Sequence, residues 1–221
     1  MALSDQQIER YSRQIIVAGI GGIGQERLLT AHLVIVGDVD GVEPVLAYMV
    51  GAGVGRITLQ LTGGADADAA ALIERMGRLN RDVSVKNASM GSDEAETILA
   101  LAGSSSGLEA IRALVMRQSR GRLIFARLDS PARIAILPAP PPCVVCADAE
   151  LFSPFSRRSD YAGFVAMAAA VETFKLIAQP AAIEKAVLLE FNGYAPTAGE
   201  IHVRHTVSAC RCASPTRTVA R

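Results

Sequence analysis

A buried strand, a helix and a second strand follow one another early in the chain, and this order leaves few folds open. Residues 33–36, Leu-Val-Ile-Val, form an aliphatic run that ends at Gly37, as expected of a parallel strand buried on both faces. Pro44 suits the first turn of the next helix, which we expect to end between Gly51 and Gly55. Residues 56–61 then alternate as a second strand. Together these elements predict a βαβ unit in a parallel sheet.

The same alternation continues through the middle of the chain. We predict a helix over 66–79, a strand over 83–86, helices over 93–102 and 108–118, and strands over 122–127 and 133–137. The run Pro138-Ala139-Pro140-Pro141-Pro142 then leads the chain away from the last of these strands. The predicted fold class is α/β, with a Rossmann-like, mostly parallel sheet that carries helices on both faces.

The two ends of the chain complete the predicted domain. Ser4 and Gln7 form a capping box, which predicts that an amphipathic helix opens the chain. Near the other end we predict an apolar, central helix over 161–177 and late strands over 186–191 and 200–207. We therefore expect one domain, with N-terminal helices in 1–31 and a Rossmann-like core in 32–137. The proline-rich exit, a cysteine-rich zinc knuckle, the central helix and the C-terminal strands would occupy 138–221.

Charge and hydropathy exclude several partners. Lys and Arg together number 22, and Asp and Glu together also number 22, so the chain has no net charge. Without a basic surplus, we expect binding neither to nucleic acid nor to an anionic membrane. The N-terminus lacks the charged and apolar regions of a signal peptide, and the longest apolar run, 161–171, is shorter than the roughly 20 residues that span a bilayer. The expectation is a cytoplasmic protein.

The four cysteines form two close pairs, Cys143-x-x-Cys146 and Cys210-x-Cys212. In a reducing compartment such pairs favour a metal over disulfides. Four thiolates can form the closed tetrahedral shell of a structural Zn²⁺, which would tie the C-terminal tail to the proline-rich exit. The alternative is four reduced thiols without a ligand.

Several segments carry a family resemblance. They are Arg10-Tyr11-Ser12-Arg13-Gln14-Ile15, Gly24-Gln25-Glu26, the run that ends at Gly37, Ala52-Gly53-Val54-Gly55-Arg56-Ile57-Thr58-Leu59, the Cys143-x-x-Cys146 pair and Glu172-Thr173-Phe174-Lys175-Leu176. In this order and spacing the chain resembles the ThiF/MoeB/HesA family, the bacterial relatives of ubiquitin-activating enzymes. The resemblance implies a homodimer that uses ATP and Mg²⁺ to adenylate the C-terminal glycine of a small ubiquitin-like sulfur carrier. The family usually has C-x-x-C in both cysteine pairs, so Cys210-x-Cys212 is a departure.

The resemblance also locates a nucleotide site, and most of its residues are replaced here. The family's phosphate loop reads G-x-G-G-x-G, of which only Gly37 matches, followed by Asp38, Val39, Asp40 and Val42. Their Cβ atoms would crowd a triphosphate and the carboxylates would repel it. Carboxylates are nevertheless stabilised at a helix N-terminus when no phosphate is present, so they can take the place of the missing anion. Arg13 matches the arginine that in the family reaches the nucleotide of the neighbouring subunit.

Other parts of the implied active site are replaced as well. The family's acidic D-x-D after the second strand corresponds to Leu61-Thr62-Gly63, and its later D-x-x-D corresponds to Gly103-Ser104-Ser105-Ser106-Gly107. The charged clamps for triphosphate and Mg²⁺ are therefore missing. Residues 152–160 stand where the family has a crossover loop with a cysteine, and they contain none. Covalent sulfur transfer through that loop is not supported.

The segment 103–107 also fits G-x-S-x-G, the nucleophile elbow of α/β-hydrolases. We disfavour this interpretation because an elbow follows a strand, whereas 93–102 is predicted to be a helix. A linker between two helices is the preferred interpretation.

The leading hypothesis is a degenerate member of the family that keeps the fold, the dimer and the zinc knuckle without efficient ATP chemistry. Such a pseudoenzyme would act as a binding or scaffolding subunit for a sulfur-carrier-type protein or for an active paralogue. The alternatives are an active adenylyltransferase with a remodelled site and a binder of another nucleotide in the Rossmann crevice. The pathway stays open between thiamine, molybdopterin, cysteine and a peptide product.

Overall fold

A computed structural model describes residues 3–63, 66–87, 95–117, 121–138, 151, 153–180 and 186–200. Helices and strands alternate through most of this described part. In chain order its elements are α1 (Asp5–Ile15), α2 (Gly21–Thr30), β1 (His32–Gly37), α3 (Val39–Ala52), β2 (Arg56–Leu61), α4 (Asp66–Leu79), β3 (Ser84–Asn87), β4 (Thr97–Ala102), α5 (Ser105–Arg117), β5 (Arg122–Arg127), β6 (Ala132–Leu137), α6 (Ala162–Ala178), β7 (Val187–Phe191) and β8 (Pro196–Glu200).

The strands form one sheet in the order β3-β2-β1-β4-β5-β6-β7-β8. The pairs from β3 to β5 are parallel, and the pairs from β5 to β8 are antiparallel. The chain first builds outward from β1 to β3 and then returns to place β4 on the other side of β1. This reversal creates a topological switch point between β1 and β4, as in Rossmann-like sheets. The predicted α/β class and sheet type are confirmed.

Helices cover both faces of the sheet. On one face, side chains of α2, α3, α4 and α6 pack with Leu33, Ile35 and Leu59 in the larger of two apolar clusters. On the other face, α5 packs against Val34 and Val36. Alternate β1 side chains therefore point into opposite clusters, and this is why a continuous aliphatic run suits the strand.

Helix α1 begins and attaches as the sequence indicates. Ser4 and Gln7 form the predicted capping box, with the Gln7 N–H donating to Ser4 Oγ over 3.3 Å. Tyr11 is buried, donates to Asp82 Oδ2 over 2.9 Å and accepts from Asn80 Nδ2 over 2.9 Å. Its burial raises the pKa of Tyr11 to about 12, so the phenol stays protonated.

Helix α6 is central, as predicted, and its end is held by distant residues. Arg122 Nη1 donates to the Leu176 carbonyl over 2.7 Å, and Arg27 Nη1 donates to the Ala178 carbonyl over 3.1 Å. Cations at a helix C-terminus satisfy its last carbonyls and oppose the negative end of the helix dipole. In the described segments, no helix combines the length and the apolar character needed to cross a membrane.

The predicted helix over 93–102 is wrong, because residues 97–102 form strand β4. Its sequence, Thr-Ile-Leu-Ala-Leu-Ala, is rich in good helix formers, which explains the prediction. The segment is buried along its whole length between β1 and β5, and tertiary packing decides its conformation. Small side chains at Ala100 and Ala102 suit this crowded central position.

The predicted place of Pro44 in a first turn is also wrong. Helix α3 starts at Val39, so Pro44 lies inside it and removes one main-chain hydrogen bond. The predicted end of the helix is confirmed, since Gly53 ends α3 in the left-handed region with φ +85°. The remaining predicted elements agree with the structure to within a few residues, except the late strand over 200–207. Strand β8 ends at Glu200, and residues 201–207 lie outside the described residues.

Candidate functional site at the switch point

The carboxyl ends of β1 and β4 lie side by side, and a helix starts directly after each strand. Gly37 pairs with Leu101 in the parallel register, so the chain leaves both strands at the same edge of the sheet. Helix α3 begins at Val39 and helix α5 at Ser105, which brings two helix N-termini to this edge. Ligands of open α/β sheets bind at such a switch point. The switch point between β1 and β4 is therefore the candidate site.

The connection from β1 to α3 contains a single residue, Asp38. The Asp38 carbonyl accepts hydrogen bonds from the N–H groups of Gly41 and Val42, both over 3.1 Å. In a phosphate-binding loop, free N–H groups point at the ligand instead. Here two of the amides that follow β1 are already paired within the first turn of α3.

Gly37, the glycine that matches the phosphate loop, is required by packing. A Cβ atom at this position would lie 2.7 Å from the Leu101 carbonyl oxygen and 3.0 Å from both Leu101 Cβ and Val42 Cγ2. Contacts this short would force the backbone of β4 or the core to move. Retention of Gly37 therefore has an explanation that does not involve a nucleotide.

The Asp38 side chain crosses the switch point. Its Oδ1 accepts from Thr62 Oγ1, just after β2, over 2.6 Å and from Ser104 Oγ, just after β4, over 3.2 Å. Its Oδ2 is buried and has no hydrogen-bond partner among the described residues. The carboxylate thus joins the ends of three neighbouring strands, β2, β1 and β4.

Ser104 belongs to the turn that starts α5. Its Oγ accepts from the Gly107 N–H over 3.0 Å, and its carbonyl accepts from the Leu108 N–H over 3.0 Å. A strand does precede this turn, contrary to the prediction used against a nucleophile elbow. The elbow is still not formed, because among the described residues no non-glycine residue has a positive φ, and Ser105 is helical.

Sequence reasoning missed a buried ion pair at the end of β5. Arg127 and Asp129 are 3% and 2% exposed. Arg127 Nε donates to Asp129 Oδ1 over 2.9 Å, and Nη2 donates to Oδ2. Arg127 Nη1 also donates to the carbonyls of Leu151 and Ser153 over 3.2 and 3.0 Å. The available signal was a pair of opposite charges at alternate positions directly after the apolar run 123–126.

The groups around Asp129 favour its ionised form. Burial alone would raise its pKa, but hydrogen bonds from Arg127 and from the Ser156 N–H, together with the Arg127 charge, outweigh burial and hold the pKa below its ordinary value. The pair also binds the segment 153–159, because Arg127 donates to the Ser153 carbonyl and Asp129 accepts from the Ser156 N–H. Two main-chain bonds hold the same segment: Ser159 N–H donates to the Leu128 carbonyl over 2.8 Å, and Ser130 N–H donates to the Arg157 carbonyl over 3.0 Å. This segment lies beside the end of β5.

Comparison with known proteins finds similar sequences over a short stretch of the chain. The chain is 46% identical over 57 residues to the sulfur carrier protein adenylyltransferase of Thermus thermophilus, which is 26% of this chain and 21% of the relative. It is 47% identical over 58 residues to the molybdopterin-synthase adenylyltransferase of Salmonella typhimurium, covering 26% of this chain and 23% of that protein. These relatives support the predicted resemblance to the ThiF/MoeB family. These matches span less than a quarter of each relative's length, and no protein-family model matches the chain.

A likeness in fold extends well beyond the stretch of sequence identity. Escherichia coli MccB, solved with succinimide, superposes with a TM-score of 0.64 over 91% of this chain and 74% of its own, at 15% sequence identity. At that identity the likeness concerns the fold alone.

Arg13 and Gly37, the two nucleotide-site residues predicted from the ThiF/MoeB resemblance, are not brought together within one chain. Arg13 is exposed on α1. The next residue, Gln14, donates from Nε2 to the Ala52 carbonyl over 3.2 Å, just before β2 begins. Helix α1 therefore lies at the amino edge of the sheet, whereas Gly37 ends β1 at the carboxyl edge.

The predicted zinc ligands Cys143, Cys146, Cys210 and Cys212 all lie outside the described residues. Within the described ranges, no group of three or more His, Cys, Asp or Glu side chains could hold a metal ion. The zinc knuckle therefore stays a prediction.

Proposed function

We propose that this ThiF/MoeB-family chain is a binding or scaffolding subunit that lacks efficient ATP chemistry. One observation carries the proposal: the chain passes from β1 into α3 through Asp38 alone, and the Gly41 and Val42 N–H groups bond to the Asp38 carbonyl. These two amides are therefore not free to donate to a triphosphate. The relatives named above are adenylyltransferases, so this chain would keep their fold and lose their reaction.

The residues present do not fit Mg²⁺ and a triphosphate. Thr62 and Ser104 stand where the family resemblance implies acidic segments, and their hydroxyls donate to Asp38. The Asp38 carboxylate itself would repel phosphate oxygens. We therefore assign no catalytic step to ATP in this chain, and no residue a catalytic role.

We place the chain in the cytoplasm and propose a homodimer. Ile16, Val17 and Ile23 around the α1–α2 junction are 81%, 48% and 68% exposed, and burial of such aliphatic side chains favours self-association. Sedimentation of the native chain and of Ile16→Glu tests the dimer, and a native monomer would contradict it.

The partner protein would be a small ubiquitin-like sulfur carrier or an active paralogue. The names of the relatives above support this choice, because one is an adenylyltransferase of a sulfur carrier protein and the other an adenylyltransferase of molybdopterin synthase.

ATP–pyrophosphate exchange tests the loss of ATP chemistry. The native chain is assayed with candidate carrier proteins that end in Gly-Gly, beside the Thermus thermophilus adenylyltransferase as a positive control. We expect exchange at background level. Robust exchange that is abolished by Arg13→Ala would refute the proposal and support an active, remodelled adenylyltransferase.

Calorimetry with ATP, NAD and flavins tests the remaining alternative. Weak or absent binding of all three agrees with a scaffolding role. Tight binding of a ligand other than ATP would contradict it and indicate another nucleotide in the Rossmann crevice.

A further inference from the structure

We propose that the Asp38 carboxylate is a built-in anion that closes the switch point and excludes phosphate from it. The inference rests on the proposed loss of ATP chemistry and names the residue that enforces it. Asp38 is then a specificity-determining residue, because its charge occupies the place where two helix N-termini would otherwise attract an external anion.

The first argument is the direction of the Asp38 side chain. Asp38 precedes α3 with φ −77° and ψ 147°, the extended backbone of an N-cap residue. An aspartate in this position ordinarily accepts a hydrogen bond from the first turn of its own helix. Asp38 makes no such side-chain bond and accepts from Thr62 and Ser104 instead. Its carboxylate therefore lies between the residues that follow β2 and β4.

The second argument is a close fit to the β4–α5 turn. A Cβ atom at Gly103 would lie 2.8 Å from Asp38 Oδ2, and a Cβ atom at Gly107 would lie 3.1 Å from the same oxygen. Either side chain would press on the carboxylate where it now lies. The glycines of the 103–107 segment make room for Asp38, and this gives them a structural role that requires no linker flexibility.

The third argument is electrostatic. The N-terminus of a helix carries a partial positive charge, and Asp38 lies at the start of α3 and against the first turn of α5. Negative charge is favoured in such a place, whatever its source. In the described part of the chain Asp38 Oδ2 is buried without a hydrogen-bond partner, and the carboxylate is held there by two hydroxyl donors to Oδ1 and by the helix ends. A phosphate would have to displace it or share its position against charge repulsion.

Inorganic phosphate is the probe for the test. Phosphate affinity is measured by calorimetry, and phosphate-dependent thermal stabilisation by differential scanning fluorimetry, for the native chain and Asp38→Ala. Asp160→Ala is the matched control, because it removes the same charge from an exposed side chain that pairs with Arg157 across 3.4 Å. We expect Asp38→Ala to bind phosphate at least about tenfold more tightly than the native chain and the control, a difference that corresponds to about 1.4 kcal/mol.

The inference is overturned if Asp38→Ala keeps a cooperative, native-like unfolding transition and binds phosphate no more tightly than the native chain. If Asp38→Ala does not fold, Asp38→Asn takes its place, because it keeps the shape and removes the charge. A gain of phosphate binding in Asp38→Asn supports the inference, and no gain overturns it. The result is independent of the exchange assay, which concerns the native chain: native exchange activity would refute the proposed function, whatever the variants bind.

Discussion

Replacing Arg127 by methionine is expected to destabilise the fold by about 3–5 kcal/mol, the usual cost of removing one partner from a buried ion pair. Methionine fills much of the same space, so the loss comes from charge and hydrogen bonding more than from a cavity. Asp129, 2% exposed, would keep its charge without the guanidinium, and the carbonyls of Leu151 and Ser153 would lose a shared donor. For a chain of this size, that loss corresponds to a fall in Tm of roughly 6–20 °C.

Urea unfolding followed by circular dichroism measures the effect. Arg157→Met is the matched control, because Arg157 pairs with Asp160 while both side chains are 78% exposed, and such a pair contributes little. We expect the control to unfold like the native chain, and Arg127→Met also to gain protease sensitivity near 153–159. A loss of less than about 1 kcal/mol in Arg127→Met would refute the assignment of a structural role to this pair.

Three further predictions concern Asp129, Gly37 and the zinc knuckle. Because folding lowers the pKa of Asp129, its contribution to stability is complete above the ordinary aspartate pKa of about 3.9 and is lost as the pH falls through the lower folded value. Unfolding free energies measured at decreasing pH should show this loss in the native chain. An Asp129→Asn variant whose stability falls with pH in the same way would contradict the prediction. Gly37→Ala should cost about 1–3 kcal/mol through overpacking. Gly22→Ala should cost much less, because the added Cβ would meet no described atom within 4 Å other than those of its chain neighbours and its own helix backbone. Equal unfolding midpoints for the two variants would count against the packing argument for Gly37. For the zinc prediction, elemental analysis of protein purified under reducing conditions should find about one Zn²⁺ per chain, lost in Cys143→Ser; metal-free native protein would show the prediction to be wrong.

Much of the fold could be predicted from the sequence because its signals are local. The aliphatic run that ends at Gly37, the Ser4–Gln7 capping box and the glycine after α3 each depend on a few neighbouring residues. Strand β4 could not be predicted in the same way. Its leucines and alanines favour a helix in isolation, and the two neighbouring strands that bury it come from distant parts of the chain.

The residues that replace the family's motifs at the candidate site could be read from the sequence, whereas the contacts these residues make could not. The sequence indicates that acids follow Gly37, and a carboxylate near the helix N-terminus was an expected consequence. The choice of Thr62 and Ser104 as partners depends on strand order, which brings β2 and β4 to either side of β1. The Arg127–Asp129 pair was missed because charged residues at a strand end are usually solvated, and their burial is decided by the returning segment 153–159.

The packing around Gly37 bears on how a binding site decays during evolution. Residues that contact a ligand alone are free to change once the ligand is no longer used, whereas a residue that also supports the core stays under selection for stability. Gly37 is of the second kind, because any larger residue would collide with the backbone of β4. The glycine at this position therefore follows from the architecture of the sheet and by itself gives no information about nucleotide binding.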